Sequence, residues 1–434
     1  MKNKLFAIPL LLATTLFADT VSITEAYDFA LENSKTIKSA KYQLEANKQS
    51  IEQVKAEFYP QINGTISYSN TKEEINSLQN RLDYDIEEDS TDLMVSLHQV
   101  IYDPQSWARL GIEQIRAKMH TLSYEQQKQE LAKVVLKDYI NVLKSTNKIV
   151  LLNAYVKYNK SKLDAIEKRL KMNLASKMDF LQIKVEYNTA KLELSKEKSL
   201  YKVYKVRLEN ITAQKDLQIK LLDISTISKN TIDSLHKNVT ENINFENNLD
   251  IQLAQLTIKI SKNDLDSSFA QHYPKINFDA VYTKYDSDDV TSDYENTQRM
   301  VLSLKVPIYQ GGYVNSKVTA SKLNLKAANE DLKDAQENIQ AQYDELLAQL
   351  TSSIETVILY KDTLESTKLY LDSVSLGYQN GLKSIIDLND ASYKLHEVEY
   401  KYIENLYTMM DSYIGLLILT NNFDKLELLN NLLK

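Results

Sequence analysis

The sequence contains no cysteine, and glycine and proline are scarce, with 7 and 5 residues in a chain of 434. Without cysteine there is neither a disulfide nor a thiolate metal site, and no lipid can be attached to a mature amino-terminal cysteine. Glycine and proline punctuate loops and turns. So few of them cannot serve the loops of two or three ordinary domains, and the chain must be built from unusually long elements.

Long apolar runs are also missing after the first 18 residues. The richest segment, from Ile149 to Val156, is interrupted by Asn153. A membrane-spanning helix needs about 20 mostly apolar residues, so transmembrane helices are excluded. A soluble periplasmic protein and a β-barrel both remain.

Residues 1 to 18 have the pattern of a secretory signal peptide. Lys2 and Lys4 precede an apolar run from Leu5 to Phe17, and Ala18 suits the last residue before cleavage. Removal of the two lysines changes the net charge from −7 to −9. An exported, acidic chain argues against nucleic acid as a partner.

The sequence shows no sign of an enzyme. Its five histidines are dispersed without ligand spacing, and no glycine-rich phosphate loop or nucleophile motif occurs. We therefore expect no catalytic residue, cofactor or metal. Two acidic stretches follow predicted strands, and we interpret them as solvated loops. A divalent-ion site at Asp286, Asp288 and Asp289 is the alternative, although the EF-hand glycine and glutamate are missing.

The order of predicted elements occurs twice. A helix over residues 22–58 ends at Pro60, and residues near Ile62 and Val95 then alternate between apolar and polar, which predicts two strands of about ten to twelve residues. A helix with apolar residues every seven positions follows, as in a coiled coil. The second half repeats this order from residue 248. The predicted divisions are a signal peptide (1–18), a first repeat (19–211), a connection (212–245), a second repeat (246–420) and a tail (421–434).

A helical hairpin ends each half. With a shift of 208 residues, Asn173 aligns with Gly381, and Asp179 aligns with Asp387. Glycine and asparagine tolerate the left-handed conformation that ends a helix. Each following Ser-x-x-Asp is a variant of the capping box that begins one. Both copies therefore predict a helix, a tight reversal and a second helix.

Four strands with one apolar face each are suited to a membrane β-barrel, because closure leaves no backbone group unpaired in lipid. The smallest barrels have about eight strands, so a barrel would be shared within a symmetric oligomer. A small water-soluble sheet is the alternative interpretation.

Several motifs together resemble the TolC-type outer-membrane efflux protein family. They are Tyr-Pro-Gln-Ile at 59–62, Tyr-Pro-Lys-Ile at 273–276, Pro-Ile-Tyr-Gln-Gly-Gly at 307–312 and the segment from Tyr378 to Ala391. The resemblance implies a mainly α-helical fold with a membrane β-barrel, in which a homotrimer forms a 12-stranded barrel and a 12-helix periplasmic tunnel. It also implies an outer-membrane exit duct for efflux or type I secretion, which extends into the periplasm and docks to a periplasmic adaptor and an inner-membrane transporter.

The resemblance also implies roles for residues at the hairpin ends. Asp387 and Asp390 would line a periplasmic constriction, and Tyr378 and Lys383, near Asp179, would hold the hairpins together. The tips that meet the adaptor would be Asn173, Leu174, Gly381 and Leu382. For Asp179 and Asp387 a capping role is the alternative, whereas Asp390 has none. Lys383 stands where the family has arginine, and Asn173 stands where it has glycine.

A periplasmic coiled-coil adaptor or scaffold is the rival interpretation of the whole chain. An adaptor normally has one hairpin between β-rich halves, whereas this sequence predicts two hairpins and two strand pairs. The cargo is open among drugs, detergents, metals and secreted proteins, and the inner-membrane partner is open between a proton-driven pump and an ABC transporter.

Overall fold

The computed structural model describes residues 20–77, 82–219, 229–240, 244–287, 295–426 and 429. The predicted signal peptide lies outside these residues. So do Asp288 and Asp289 of the second acidic stretch.

The described residues form a mainly helical chain with four strands, which confirms the predicted fold class at that level. The first half contains α1 (Ile23–Asn33), α2 (Lys35–Ala56), β1 (Gln61–Ser77), β2 (Leu82–Tyr102), α3 (Pro104–Lys171) and α4 (Lys177–Thr212). After α5 (Lys229–Thr240), the second half contains α6 (Leu249–Ala270), β3 (Lys275–Ser287), β4 (Glu295–Lys305), α7 (Tyr313–Gln379) and α8 (Ile385–Leu419).

The leading helix of the first half differs from its prediction. Instead of one helix over 22–58, the chain forms α1 and α2 with a break at Ser34. The backbone N–H of Ile37 donates to the Ser34 hydroxyl at 3.2 Å, so this side chain caps the first turn of α2. Serine competes for nearby backbone groups in this way, and that favours a helix start over a helix interior.

The four strands form one antiparallel sheet in the order β1-β2-β3-β4. Its register pairs Ile66 with Leu93, and Val95 with Tyr282. Because directly paired residues point to the same side, the predicted apolar alternations fall on one face. The other face carries polar pairs such as His98 and Asp279, whose side chains are 2.7 Å apart.

The first strand pair is longer than predicted, with 17 residues in β1 and 21 in β2. The acidic stretch between them was predicted to be a loop, and this was wrong, because pairing continues as far as Ser77 and Leu82. Donors on β1 pair with the acidic side chains of β2: Glu87 lies 2.7 Å from the Lys72 ammonium group, and the Tyr68 hydroxyl donates to Asp89 at 2.7 Å.

The chain divides into two compact units, and both repeats contribute to each. One unit holds residues 1–37, 127–245 and 339–434, and therefore both hairpins; the other holds 38–126 and 246–338, and therefore all four strands. Among the described helices, none has the length and apolar character that crossing a membrane requires.

The hairpin unit is held together by an apolar core to which α1, α3, α4, α5, α7 and α8 contribute. Leu143 of α3, Leu235 of α5 and Leu406 of α8 are buried in this core. Burying each such side chain contributes about 1.5–3 kcal/mol. The connection over 212–245 thus includes a helix that packs into the core, a detail absent from the sequence prediction. The Tyr139 hydroxyl is satisfied by the Val21 carbonyl at 2.9 Å.

Candidate functional site

The two hairpin ends share one reversal geometry. Asn173 and Gly381 have φ angles of 57° and 75°, in the left-handed region. The N–H of Leu174 donates to the Arg169 carbonyl, and that of Leu382 donates to the Gly377 carbonyl, both at 2.8 Å. These bonds are separated by the same shift of 208 residues, so the predicted duplication of the reversal is confirmed.

Each second helix of a hairpin begins with a complete capping box. Asp179 accepts the N–H of Ser176 at 3.2 Å, and Asp387 accepts the N–H of Ser384 at 2.8 Å. The Ser384 backbone and side chain lower the pKa of Asp387, because both stabilise the carboxylate. Both aspartates therefore cap α4 and α8, which was the alternative to a role in a gate or latch.

Tyr378 of α7 contacts the first hairpin through a residue that the sequence did not indicate. The Arg169 guanidinium of α3 donates to the Tyr378 hydroxyl at 2.7 Å and lies 5.4 Å from its ring centroid. Both the hydrogen bond and the cation–π contact hold α7 against α3.

The Lys383 side chain packs within its own hairpin turn. Its side chain covers Gly377, where an added Cβ would lie 2.8 Å from the Lys383 Cγ. Its ammonium group makes no ion pair within the part of the chain that the structure describes. Asp179, in turn, is engaged with Ser176. Within the described residues, neither side chain forms a hydrogen bond or an ion pair with Tyr378, whose hydroxyl accepts from Arg169.

A second contact between the hairpins lies one heptad before Arg169. The ammonium group of Lys162 donates to the Asn389 side-chain oxygen, lies 3.8 Å from Glu186 and lies 4.8 Å from the Tyr158 ring centroid. Burial lowers the pKa of Lys162, against the opposing effect of Glu186. The contact therefore joins α3, α4 and α8.

Asp390 is exposed beside this contact. Burial raises the pKa of Glu186, Lys162 lowers it, and the nearby Asp390 charge raises it further. Glu186 is thus the carboxylate that pairs with Lys162, and the Asp390 charge acts on Glu186. Arg169, Lys162 and Glu186 were not among the site residues predicted from the sequence. The available signal was the spacing of Lys162 and Arg169, two basic residues seven positions apart on a helix that must pack on both sides.

The tips themselves present apolar side chains to solvent. Leu174 is 71% exposed and Leu382 is 81% exposed in the single chain. Asn173 and Gly381, beside them, provide the turns. The described residues contain no group of three or more histidine, aspartate or glutamate side chains that could hold a metal ion.

Two helical hairpins, each with its own antiparallel strand pair in one sheet, are the arrangement expected of an outer-membrane efflux duct. A profile of the outer membrane efflux protein family matches residues 26–214 and 244–422. The chain belongs to this family, whose members are outer-membrane transport proteins and not enzymes.

Relatives agree with this assignment. The outer membrane protein TolC of Vibrio cholerae is 23% identical over 383 residues, covering 87% of this chain and 85% of the relative. The proteases secretion protein PrtF of Dickeya chrysanthemi is 20% identical over 330 residues, covering 73% and 70%. The crystal structure of the Vibrio cholerae outer membrane protein VceC has a TM-score of 0.75 at 12% identity, with 92% and 95% covered.

These findings confirm that the chain is an outer-membrane protein that extends into the periplasm and serves as the exit duct of an efflux or secretion system. They favour this function over the rival assignment as a periplasmic adaptor.

Proposed function

We propose that three copies of the chain assemble into one duct, with a 12-stranded barrel in the outer membrane and a 12-helix tunnel in the periplasm. The four-stranded sheet carries this proposal. Within the described residues β1 and β4 each pair with one strand only, so both edges of the sheet have unpaired backbone groups. In lipid every such group must be bonded, and neighbouring copies provide the missing strands.

An apolar stripe on α4 supports the same assembly. It consists of Met178, Leu181, Val185 and Leu192, all exposed in the single chain. These side chains lie opposite the buried side of α4, which includes Ile183 and Ala190. A second copy is the occupant of this stripe, because the proposed 12-helix tunnel packs the hairpins of neighbouring copies against one another. Exposed leucines on α7, Leu359, Leu369 and Leu376, offer a matching surface.

The periplasmic end of the duct is closed by the second hairpin. The contacts of Arg169 with Tyr378 and of Lys162 with Asn389 hold α7 and α8 against α3. We assign the constriction to Asp390, with Asp387 beside it, because Asp390 is exposed and has no cap role. Lys383 and Asp179 complete the latch through a contact with a neighbouring copy.

The tip residues Asn173, Leu174, Gly381 and Leu382 are the docking points for a periplasmic adaptor, which links the duct to an inner-membrane transporter. Exposed leucines on each tip support this assignment, because apolar side chains at a tight turn gain most from burial against a partner.

Membrane fractionation and mass measurement test the assembly. We expect the protein in the outer-membrane fraction and a trimer in mild detergent, and reconstitution into a planar bilayer should give discrete conductance. A stable monomer in mild detergent would overturn the shared barrel. Recovery from the soluble periplasm would favour the adaptor.

A further inference from the structure

A cavity of about 400 Å³ lies between α3, α4 and α8 in the hairpin unit. Each helix contributes one face to it, and the lining is polar, unlike the apolar core nearby. The residues that matter here are Lys148 of α3, Glu193, Lys196 and Glu197 of α4, and His396 and Tyr400 of α8. The proposed trimer, gate and adaptor contacts give this cavity no function.

The positive charges on the α3 side of the cavity already have partners. Lys148 lies 3.1 Å from Glu404, donates to the Tyr400 hydroxyl at 2.7 Å and lies 3.9 Å from the Tyr400 ring centroid. Lys144 lies 3.8 Å from the same Glu404. Within the described residues, both ammonium groups pair with Glu404 of α8, and neither forms an ion pair with a carboxylate of α4.

The carboxylates on α4 lack such partners. Glu197 is 8% exposed and makes no hydrogen bond or ion pair within the described part of the chain. Glu193, one turn earlier, lies 3.6 Å from His396 Nε2. Burial lowers the pKa of His396, so this ring is neutral at neutral pH and gives Glu193 no positive charge. The Glu193 side chain is 48% exposed, so burial without a counter-charge, which is costly, falls on Glu197.

The charges of the lining are equal in number but separated in position, with three lysines and three glutamates. Lys144 and Lys148 of α3 lie against Glu404, whereas Glu193 and Glu197 lie on α4 with Lys196, and Glu397 adds a carboxylate from α8. The rings of Tyr204 and Tyr393 complete the wall, whereas the Tyr400 ring already has the Lys148 ammonium group beside it. Carboxylates beside aromatic rings are the combination that binds organic cations. A bare metal ion fits poorly, because no described group of three acidic or histidine side chains could hold one.

We propose that this cavity binds a small organic cation, of the amine or quaternary ammonium class, with its charge at Glu193 and Glu197 and its apolar part against the tyrosines. The volume lies within the range of small-molecule sites, about 300–1,000 Å³. This site is separate from the constriction, and its occupancy does not depend on the proposed gate.

Calorimetric titration of the full chain in an uncharged detergent tests the proposal, with benzyltrimethylammonium as the probe. We expect saturable binding in the wild type. Glu197→Gln and Glu193→Gln should each weaken it by roughly tenfold, which corresponds to about 1.4 kcal/mol. Glu209→Gln is the matched control, since it makes the same change on α4 outside the cavity and should leave the affinity unaltered.

Benzenesulfonate, an aromatic anion of similar size, tests whether the site prefers a positively charged ligand, and it should not bind. Three outcomes would overturn the proposal: no binding of the ammonium probe by the wild type, equal affinities in the wild type and both cavity variants, or binding of the sulfonate as tight as that of the ammonium. A failure of channel assembly would appear separately in the detergent mass measurement.

Discussion

The ring of His396 is stacked on Tyr155, with centroids 4.0 Å apart and an interplanar angle of 3°. The residue is 7% exposed, and its buried Nδ1 has no hydrogen-bond partner within the described residues. Glu193 is the carboxylate within salt-bridge distance of the ring, at 3.6 Å. Burial lowers the pKa of His396 below its ordinary 6.5, and Glu193 opposes the shift.

This shift makes the hairpin unit sensitive to acid. The unfolded chain binds a proton near pH 6.5, whereas the folded chain does so only at lower pH, so the stabilisation present above pH 6.5 is lost as the pH falls through the folded pKa. We expect the melting temperature to drop over this window, as measured by circular dichroism. His396→Phe should flatten the dependence, and the control His272→Asn, at an exposed histidine, should not. An equal pH dependence in all three proteins would contradict this role.

At the constriction, Asp390→Ala should leave folding intact and remove most of the block by multivalent cations. Three copies of Asp390 around one opening would form a carboxylate ring, which favours cations. Planar-bilayer recordings with a trivalent cation check this effect. Asp387→Ala is the comparison, because Asp387 completes the capping box of α8, so its removal should lower the melting temperature and reduce the block less than Asp390→Ala does. Unchanged block in Asp390→Ala would place the constriction elsewhere.

Among the elements, α3 carries the contacts that keep the second hairpin in place. Arg169→Gln removes the charged donor to Tyr378, and Tyr378→Phe removes the acceptor. Each should raise the conductance of the closed channel, and the double variant should add little beyond either one, since both break the same contact. Lys168→Gln, one position away in α3, is the control. Fully additive effects would show that the two side chains act separately.

In the sheet, we expect substitution by aspartate to affect membrane insertion on one face of β2 and not on the other. Val95→Asp places a charge on the apolar face, opposite Gly64, and should hinder membrane insertion at a cost of about 1 kcal/mol or more per chain. Ser96→Asp places it on the polar face and should be tolerated. Heat-modifiable migration of the assembled protein on gels measures insertion. Normal assembly of both variants would remove the lipid-facing assignment.

For the whole molecule, we expect the exposed apolar stripe on α4 to contribute to the stability of the trimer. Leu192→Glu should lower the temperature at which the detergent-solubilised trimer dissociates, because the buried carboxylate would have no partner. Lys198→Glu is the control, since it is exposed on another side of α4 and changes the charge by more. Size-exclusion chromatography with light scattering follows dissociation. Equal trimer stability in both variants would contradict the assigned stripe.

The sequence by itself determined the order of elements and the positions of the turns. The scarce prolines, the period-two and period-seven apolar patterns and the shift from Asn173 to Gly381 are local signals, and local backbone preferences decide such features. The reversal at both tips was predictable for this reason. The length of β1 and β2 was not, because cross-strand partners such as Lys72 and Glu87 keep an acidic stretch in the sheet.

Only the tertiary structure decided which side chains meet across the hairpins. Arg169 contacts Tyr378, 209 residues away, and Lys162 contacts Asn389, 227 residues away. Helix packing brings such residues together through the rotation and offset of α3 against α7 and α8, which a repeat pattern in a single helix does not specify. The same packing leaves Glu197 buried in the cavity without a partner.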